Sequence, residues 1–178
     1  MERKSTFIRL ASLLAAIAIV APSGCRRSSV VKSGDEVFAV LEDSVLAVSL
    51  RGATIHVQAF RERTSDAFRY RFARATRRSE CASSPALDAA LGETFSIRAL
   101  KVYEHTEVER LAALPKEQQT VLEVTSTGKP PEPFVLSLAA KDGVVTGSSV
   151  DAYLAEHKVG FTVDSSLLHL LSLSCDTR

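Results

Sequence analysis

Residues 53–75 read Ala-Thr-Ile-His-Val-Gln-Ala-Phe-Arg-Glu-Arg-Thr-Ser-Asp-Ala-Phe-Arg-Tyr-Arg-Phe-Ala-Arg-Ala. Two stretches within them alternate with a period of two. Ile55, Val57 and Ala59 share one face, with Thr54, His56 and Gln58 opposite. Phe68, Tyr70 and Phe72 share one face, with Arg69 and Arg71 opposite. Successive side chains of a strand point to opposite sides, so the pattern predicts strands with one buried face and one wet face.

The same period extends outward. Residues 45–50 place Leu46, Val48 and Leu50 on one face, and Arg51-Gly52 predicts a turn or a glycine bulge before the next strand. Residues 37–41 and 159–163 read as strands. Residues 120–125 and 134–140 do too, on either side of a proline-rich surface loop at 126–133. Residues 94–103 carry a phase slip: Phe95, Ile97 and Ala99 share one face, Leu100 and Val102 the other. That predicts a bulge or a strand buried on both faces. Asp142-Gly143 predicts a hairpin turn with 144–146 as the return strand.

Helical signals are short. Pro85 opens an apolar run closed by Gly92, enough for one or two turns. Thr106 with Glu109, and Ser148 with Asp151, fit capping boxes. The second predicts a helix through His157 with Val150, Tyr153 and Leu154 on one face. Residues 167–173 suit a buried strand or a short helix. About eight or nine strands and two or three short helices make an α+β, β-rich fold: a mainly antiparallel sheet, as a sandwich or an incomplete barrel.

The chain has 178 residues, 22 basic and 21 acidic, and 46% hydrophobic residues. This is one globular domain's worth of chain, with no net charge that points to nucleic acid. Its N-terminus has a different character. Arg3, Lys4 and Arg9 precede residues 10–21, in which Ser12 is the one polar residue. This is a signal-peptide layout, shorter than the ~20 apolar residues of a membrane span. Ser23-Gly24-Cys25 then resembles the lipobox of bacterial lipoproteins, with Pro22 where that family favours an aliphatic residue. The resemblance covers the leader alone. It implies a signal peptide at 1–24 and a lipidated Cys25; the short polar run that follows makes 25–36 a tether, and the length of the rest makes 37–178 a single domain. Arg26, where an Asp would mark inner-membrane retention, implies the outer membrane of the cell envelope.

With Cys25 acylated, Cys81 and Cys175 remain of the three cysteines, a pair that an oxidising envelope compartment would bridge. Closing that loop is worth up to roughly 4.7 kcal/mol of chain entropy. The chain from residue 25 onward carries 19 basic and 20 acidic residues.

Seven arginines fall within residues 61–78 against Glu62 and Asp66, a net of +5. Arg61 and Arg63 come first. Arg69, Arg71, Arg74, Arg77 and Arg78 follow, and form the candidate site for an anionic partner. Arginine suits bidentate pairing with phosphate or carboxylate and stacks on aromatic rings. The export leader speaks against nucleic acid and for an envelope protein or an anionic polymer. The plainer reading is a solvated strand face whose arginines pair with acids between Glu104 and Glu123.

Catalytic signatures do not occur: no nucleophile elbow, phosphate loop, dinucleotide fingerprint, zinc-protease motif or Cys-x-x-Cys. Ser29-Val30-Val31-Lys32 matches Ser-x-x-Lys of penicillin-binding proteins, but stands in the tether without its partner motifs. His56, His105, His157 and His169 show no metal spacing, so neither metal nor cofactor is expected. His105 and Glu109 are i,i+4 on a polar face; His56 reads as exposed, and His169, among leucines, as core or half-buried. Two readings stay open. One is a lipid-anchored, non-enzymatic binding or structural domain. The other is an envelope hydrolase using a histidine and carboxylates such as Glu104, Glu107, Glu109, Asp142 and Asp151.

The leader generates one prediction. Protein purified from membranes of its own host is expected to have the mass of residues 25–178 plus acyl chains, gaining two hydrogens on reduction. An unacylated mass removes the anchor.

Overall fold

The computed structural model describes residues 31–127 and 133–176. The leader, Cys25, Ser29 and most of the 126–133 loop lie outside them. The strands are β1 (Glu36–Ala39), β2 (Val45–Arg51), β3 (Ile55–Arg61), β4 (Phe68–Arg74) and β5 (Arg77–Ala82). Helix α1 (Pro85–Gly92) leads to β6 (Ser96–Arg98), β7 (Lys101–Val102) and α2 (His105–Ala112). Then come β8 (Thr120–Ser126), β9 (Phe134–Leu138), β10 (Ser149–Leu154), β11 (Val159–Asp164) and α3 (His169–Ser172).

Nine strands form one antiparallel sheet in the order β5-β4-β3-β2-β8-β9-β10-β11-β7, and β1 pairs with β6 in a separate ribbon. The described strands do not close into a barrel, so β5 and β7 are edges. The fold is thus α+β and β-rich, as expected. One strand comes from a segment the periodicity left unread, and another segment divides in two. Strand β5, Arg-Arg-Ser-Glu-Cys-Ala, has no apolar face to alternate. Residues 94–103 divide between two partners: β6 joins β1, and β7 joins β11. The phase slip is this change of sheet, which buries Ile97 and Ala99 and leaves Leu100 exposed.

Alternation sorts the sheet into two faces. Inward point Val48, Leu50, Val57, Ala59, Tyr70 and Phe72, and further along Leu122, Leu136, Ala152 and Phe161, all buried in one core. Helices α1 and α3, with the 3-10 turn Ser165–Leu168 before α3, cover that face through Leu87, Leu91, Leu167 and Leu170. The β1–β6 ribbon completes the layer, with Phe38 stacked on Phe134 at 4.1 Å. Helix α2 takes the opposite, outer face. A Cβ added to Gly160 would lie 3.0 Å from Leu111 Cδ1, so the bare glycine admits that helix.

Other expectations give way for identifiable reasons. A bulge opposite β8, between Val45 and Ala47, turns Val45 inward and leaves Leu46 44% exposed. Residues 148–157 form no helix. Val150, Ala152 and Leu154 also alternate, and pairing with Val163, Phe161 and Val159 makes them a strand. The α2 helix starts at N-cap Glu104, which makes no side-chain cap, so Thr106 lies inside the helix. Residues 167–172 take the helical one of the two forms expected of them, but His169 is exposed at the start of α3 rather than held among the leucines. Residues 31–36 run along the domain: Gly34 N–H donates to the Ala99 carbonyl at 2.6 Å, and Ala99 N–H to that of Asp35 at 2.9 Å.

Asp142 and Gly143 do take left-handed φ values of 50° and 76°. The return strand nevertheless starts only at Ser149, because the Asp142 carboxylate is committed elsewhere. Its Oδ1 accepts from Thr54 N–H at 2.7 Å and Ile55 N–H at 3.3 Å, and its Oδ2 from the Thr54 hydroxyl at 2.9 Å. It thereby closes the β2–β3 turn, where a Cβ on Gly52 would come within 2.8 Å of Asp142 Cα. The Thr54 N–H, above all, holds this carboxyl below its usual range. The unfolded chain takes up the proton at higher pH, so the contribution is complete above the unfolded pKa and is lost as pH falls through the folded one. Asp142→Asn is expected to cost about 1–2 kcal/mol at neutral pH and to flatten the acid limb of a urea-midpoint profile. An unchanged acid limb refutes this role.

Candidate functional site

The registers of β4 and β5 decide where each arginine goes. Phe68, Tyr70 and Phe72 point inward, so Arg69 and Arg71 point outward, and Arg74 shares the inward parity. Arg71 lies opposite Glu80, Ala73 opposite Arg78 and Arg74 opposite Arg77. Arg78 and Glu80 therefore join the outer face.

On that face one carboxylate serves two arginines. Glu80 accepts from Arg69 Nε at 3.2 Å and from Arg71 Nε at 2.8 Å, and Arg69 also reaches Glu62 at 3.8 Å. The hydrogen bond from Arg71 is the main reason the Glu80 carboxyl is held below its usual range. The Arg71 guanidinium stacks 4.3 Å over the Phe60 ring. The acids that pair with these arginines thus come from the same strand neighbourhood, and none from 104–123. Such half-exposed pairs are individually weak, up to ~1 kcal/mol each.

Two arginines of the cluster are structural. Arg61 donates to the carbonyls of Val45 (3.0 Å), Asp66 (2.6 Å) and Glu42 (2.7 Å), and lies 4.6 Å over the Phe68 ring. Arg74, one of the five predicted anion contacts, faces the core instead. Its Nη2 donates to the carbonyls of Leu171 and Leu173, both at 2.6 Å, capping the C-terminal end of α3. Beside it, Cys81 of β5 is disulfide-bonded to Cys175, with the Cα atoms 5.6 Å apart.

Arg77 and Arg78 are exposed on the edge strand and make no ion pair with a described carboxylate. Arg71, Arg78, Glu80, His56 and Gln58 line a shallow hollow of about 550 Å³ on the outer face. His56 is half-buried, with Nε2 3.0 Å from Ser49 Oγ; burial first, and then the Arg51 charge, lowers its pKa. Sequence reasoning placed neither His56 nor Gln58 beside the arginines, because that neighbourhood is set by the β3–β4 register, Gln58 opposite Arg71. The inward turn of Arg74 was readable: its number has the parity of Tyr70 and Phe72.

Of the scattered carboxylates, Glu107 and Asp151 come together on the Arg110 guanidinium, at 2.8 and 3.2 Å, as an ion-pair cluster. Asp151 accepts from Tyr103 Oη at 2.6 Å and Arg110 Nη2 at 3.2 Å, and Asp142 holds the Thr54 turn. His105 Nδ1 lies 3.4 Å from Glu109 on an exposed face. No group of three or more metal-ligating side chains gathers among the described residues. Cys25 lies outside them. No known protein family, curated protein or solved structure matches the chain.

The two kinds of arginine are separable in solution. Arg74→Met leaves two α3 carbonyls without their donor and is expected to lower stability by about 1.5–3 kcal/mol. Arg77→Ala and Arg78→Ala are expected to stay within about 0.5 kcal/mol of the parent. Urea midpoints decide, and equal losses at all three positions contradict the division.

Proposed function

We propose that this chain is a lipid-anchored protein of the bacterial envelope, held at the outer membrane by an acylated Cys25. Its β-rich domain binds an anionic partner, an envelope protein or an anionic polymer, and carries out no reaction. The leader and the Ser23-Gly24-Cys25 segment support the anchor. The single observation that carries the binding reading is the pair Arg77 and Arg78: exposed, on an open edge strand, and without a described carboxylate partner.

The chemistry is recognition by charge on a preformed surface. Arg71 is held in place by Glu80 and stacked on Phe60, so it presents its remaining guanidinium donors with little freedom left to lose. Arg77 and Arg78 extend the positive field along the edge. An acidic segment laid beside β5 would meet the backbone groups that β4 does not use. Glu80 sets the limit: it neutralises part of Arg69 and Arg71, so the edge pair carries most of the uncompensated charge.

Two experiments test the two halves. Wild-type protein is expected to float with host membranes in a density gradient, and the Cys25→Ser chain to remain in the soluble fraction. Immobilised polyglutamate is expected to retain the wild type at low salt. Arg77→Glu with Arg78→Glu should weaken that retention roughly tenfold, at up to ~1 kcal/mol per exposed charge pair, with the thermal midpoint unchanged. Equal retention of the double variant overturns the arginine edge as the site.

A further inference from the structure

At the far end of the outer face from the arginines, α2 stands over the β10–β11 hairpin. Leu111 and Val108 come down on Gly160. Beside this contact α2 and the hairpin line a groove of about 690 Å³, within the roughly 300–1,000 Å³ of small-ligand sites. Its walls are aliphatic: Val31, Val102, Val108, Ala112 and Val159, joined by the rings of Tyr103 and Tyr153. Its rim is charged in both senses. His105 and Glu109 stand on the α2 side, and Glu156, His157 and Lys158 on the hairpin turn.

Val31 belongs both to this wall and to the stretch that leads back to Cys25, six positions away. Six residues reach at most ~20 Å even when extended. Rested on the anchor proposed above, this places the groove within that distance of a bilayer surface. The acyl chains of phospholipids are therefore the apolar groups at highest local concentration. A purely anionic head would meet Glu109 and Glu156, and a purely cationic one Lys158. A head that bears both a phosphate and an ammonium has a partner for each.

We propose that the groove between α2 and the β10–β11 hairpin binds one acyl chain of a zwitterionic phospholipid. The phosphate lies toward Lys158, and the amine toward Glu109 and Glu156. Burial of the methylenes against the valines supplies the attraction, and the mixed rim selects the head. This site is separate from the arginine edge and acts at the membrane to which the anchor leads.

The chain has three tyrosines and no tryptophan, and two of the tyrosines, Tyr103 and Tyr153, line the groove. The probe is lysophosphatidylethanolamine with a doxyl label on its chain, below its micellar concentration, added to the Cys25→Ser chain, which carries no acyl group of its own. Saturable, one-to-one quenching of tyrosine emission is expected. Ala112→Phe, at an exposed position on the groove wall, should weaken it at least tenfold. Val135→Phe, on the same sheet face outside the groove, should leave it unchanged. Absent or non-saturating quenching, or quenching indifferent to Ala112→Phe in a variant with unchanged circular dichroism, overturns the proposal. Equal affinity for the doxyl-labelled phosphatidylglycerol analogue overturns the assignment of the head. The anchor is judged separately by the mass of the wild-type chain: an acylated Cys25 without groove binding rejects the groove alone, and saturable binding with an unacylated Cys25 rejects the anchor alone.

Discussion

Strands β4 and β5 hold the covering layer of this fold through three bonds of different kinds. Tyr70 donates its hydroxyl to Asp88 of α1 at 2.6 Å, Arg74 caps the carbonyls at the end of α3, and Cys81 is joined to Cys175 beyond it. A sheet with one apolar face must have that face covered. The pieces that cover it here are an eight-residue helix, a four-residue helix and a two-stranded ribbon. None is long enough to be stable alone. They persist because Leu87, Leu91, Leu167 and Leu170 are buried against the strands and because the three bonds fix their positions. Burial, reinforced by the Asp88 carboxylate, pushes the Tyr70 hydroxyl far above its ordinary range, so it remains a donor to Asp88.

What happens on the inner face dictates what the outer face can offer. Alternation sends Arg69 and Arg71 outward because Phe68, Tyr70 and Phe72 go inward. The same rule removes Arg74 from the outer surface and spends its charge on α3. A net of +5 over residues 61–78 therefore overstates the field a partner would meet. Arg61 and Arg74 serve backbone carbonyls, Glu80 and Glu62 balance Arg69 and Arg71, Arg63 is exposed in the β3–β4 connection, and the rest of the uncompensated charge lies at the edge. The other end of the face is organised by Asp151, which gathers Tyr103 and Arg110. The Tyr103 hydroxyl is pushed up to about 12 by burial and then by that hydrogen bond. The cluster braces α2 against β10, and so shapes the groove beside it.

Legibility in the sequence followed locality. Strands β3 and β4 were readable because one face of each packs against a core, so period two survives in the residue types. Strand β5 was not: it is an edge with almost no buried side chain, and nothing apolar marks its period. The Ser148 to Asp151 box misled because a capping signal is local, whereas pairing with β11 engages six residues in succession. Asp142-Gly143 kept its left-handed turn yet not its hairpin, because its carboxylate is bound to Thr54, 88 positions away. In the candidate site, Arg71 and Arg78 come onto one face only through the β4–β5 register, and the same pairing sets Glu80 opposite Arg71.

By itself the sequence determined the β-rich class, the inward faces of strands β3 and β4 and the concentration of arginine in one hairpin region. These follow from side-chain alternation and composition, which are properties of neighbours along the chain. Only the tertiary structure decided the order of nine strands, the change of sheet at residue 99, the side on which α2 lies, and which arginines remain free to meet a partner. Those outcomes depend on contacts between residues far apart in sequence, whose energies are set by register and packing and leave no mark on any single stretch.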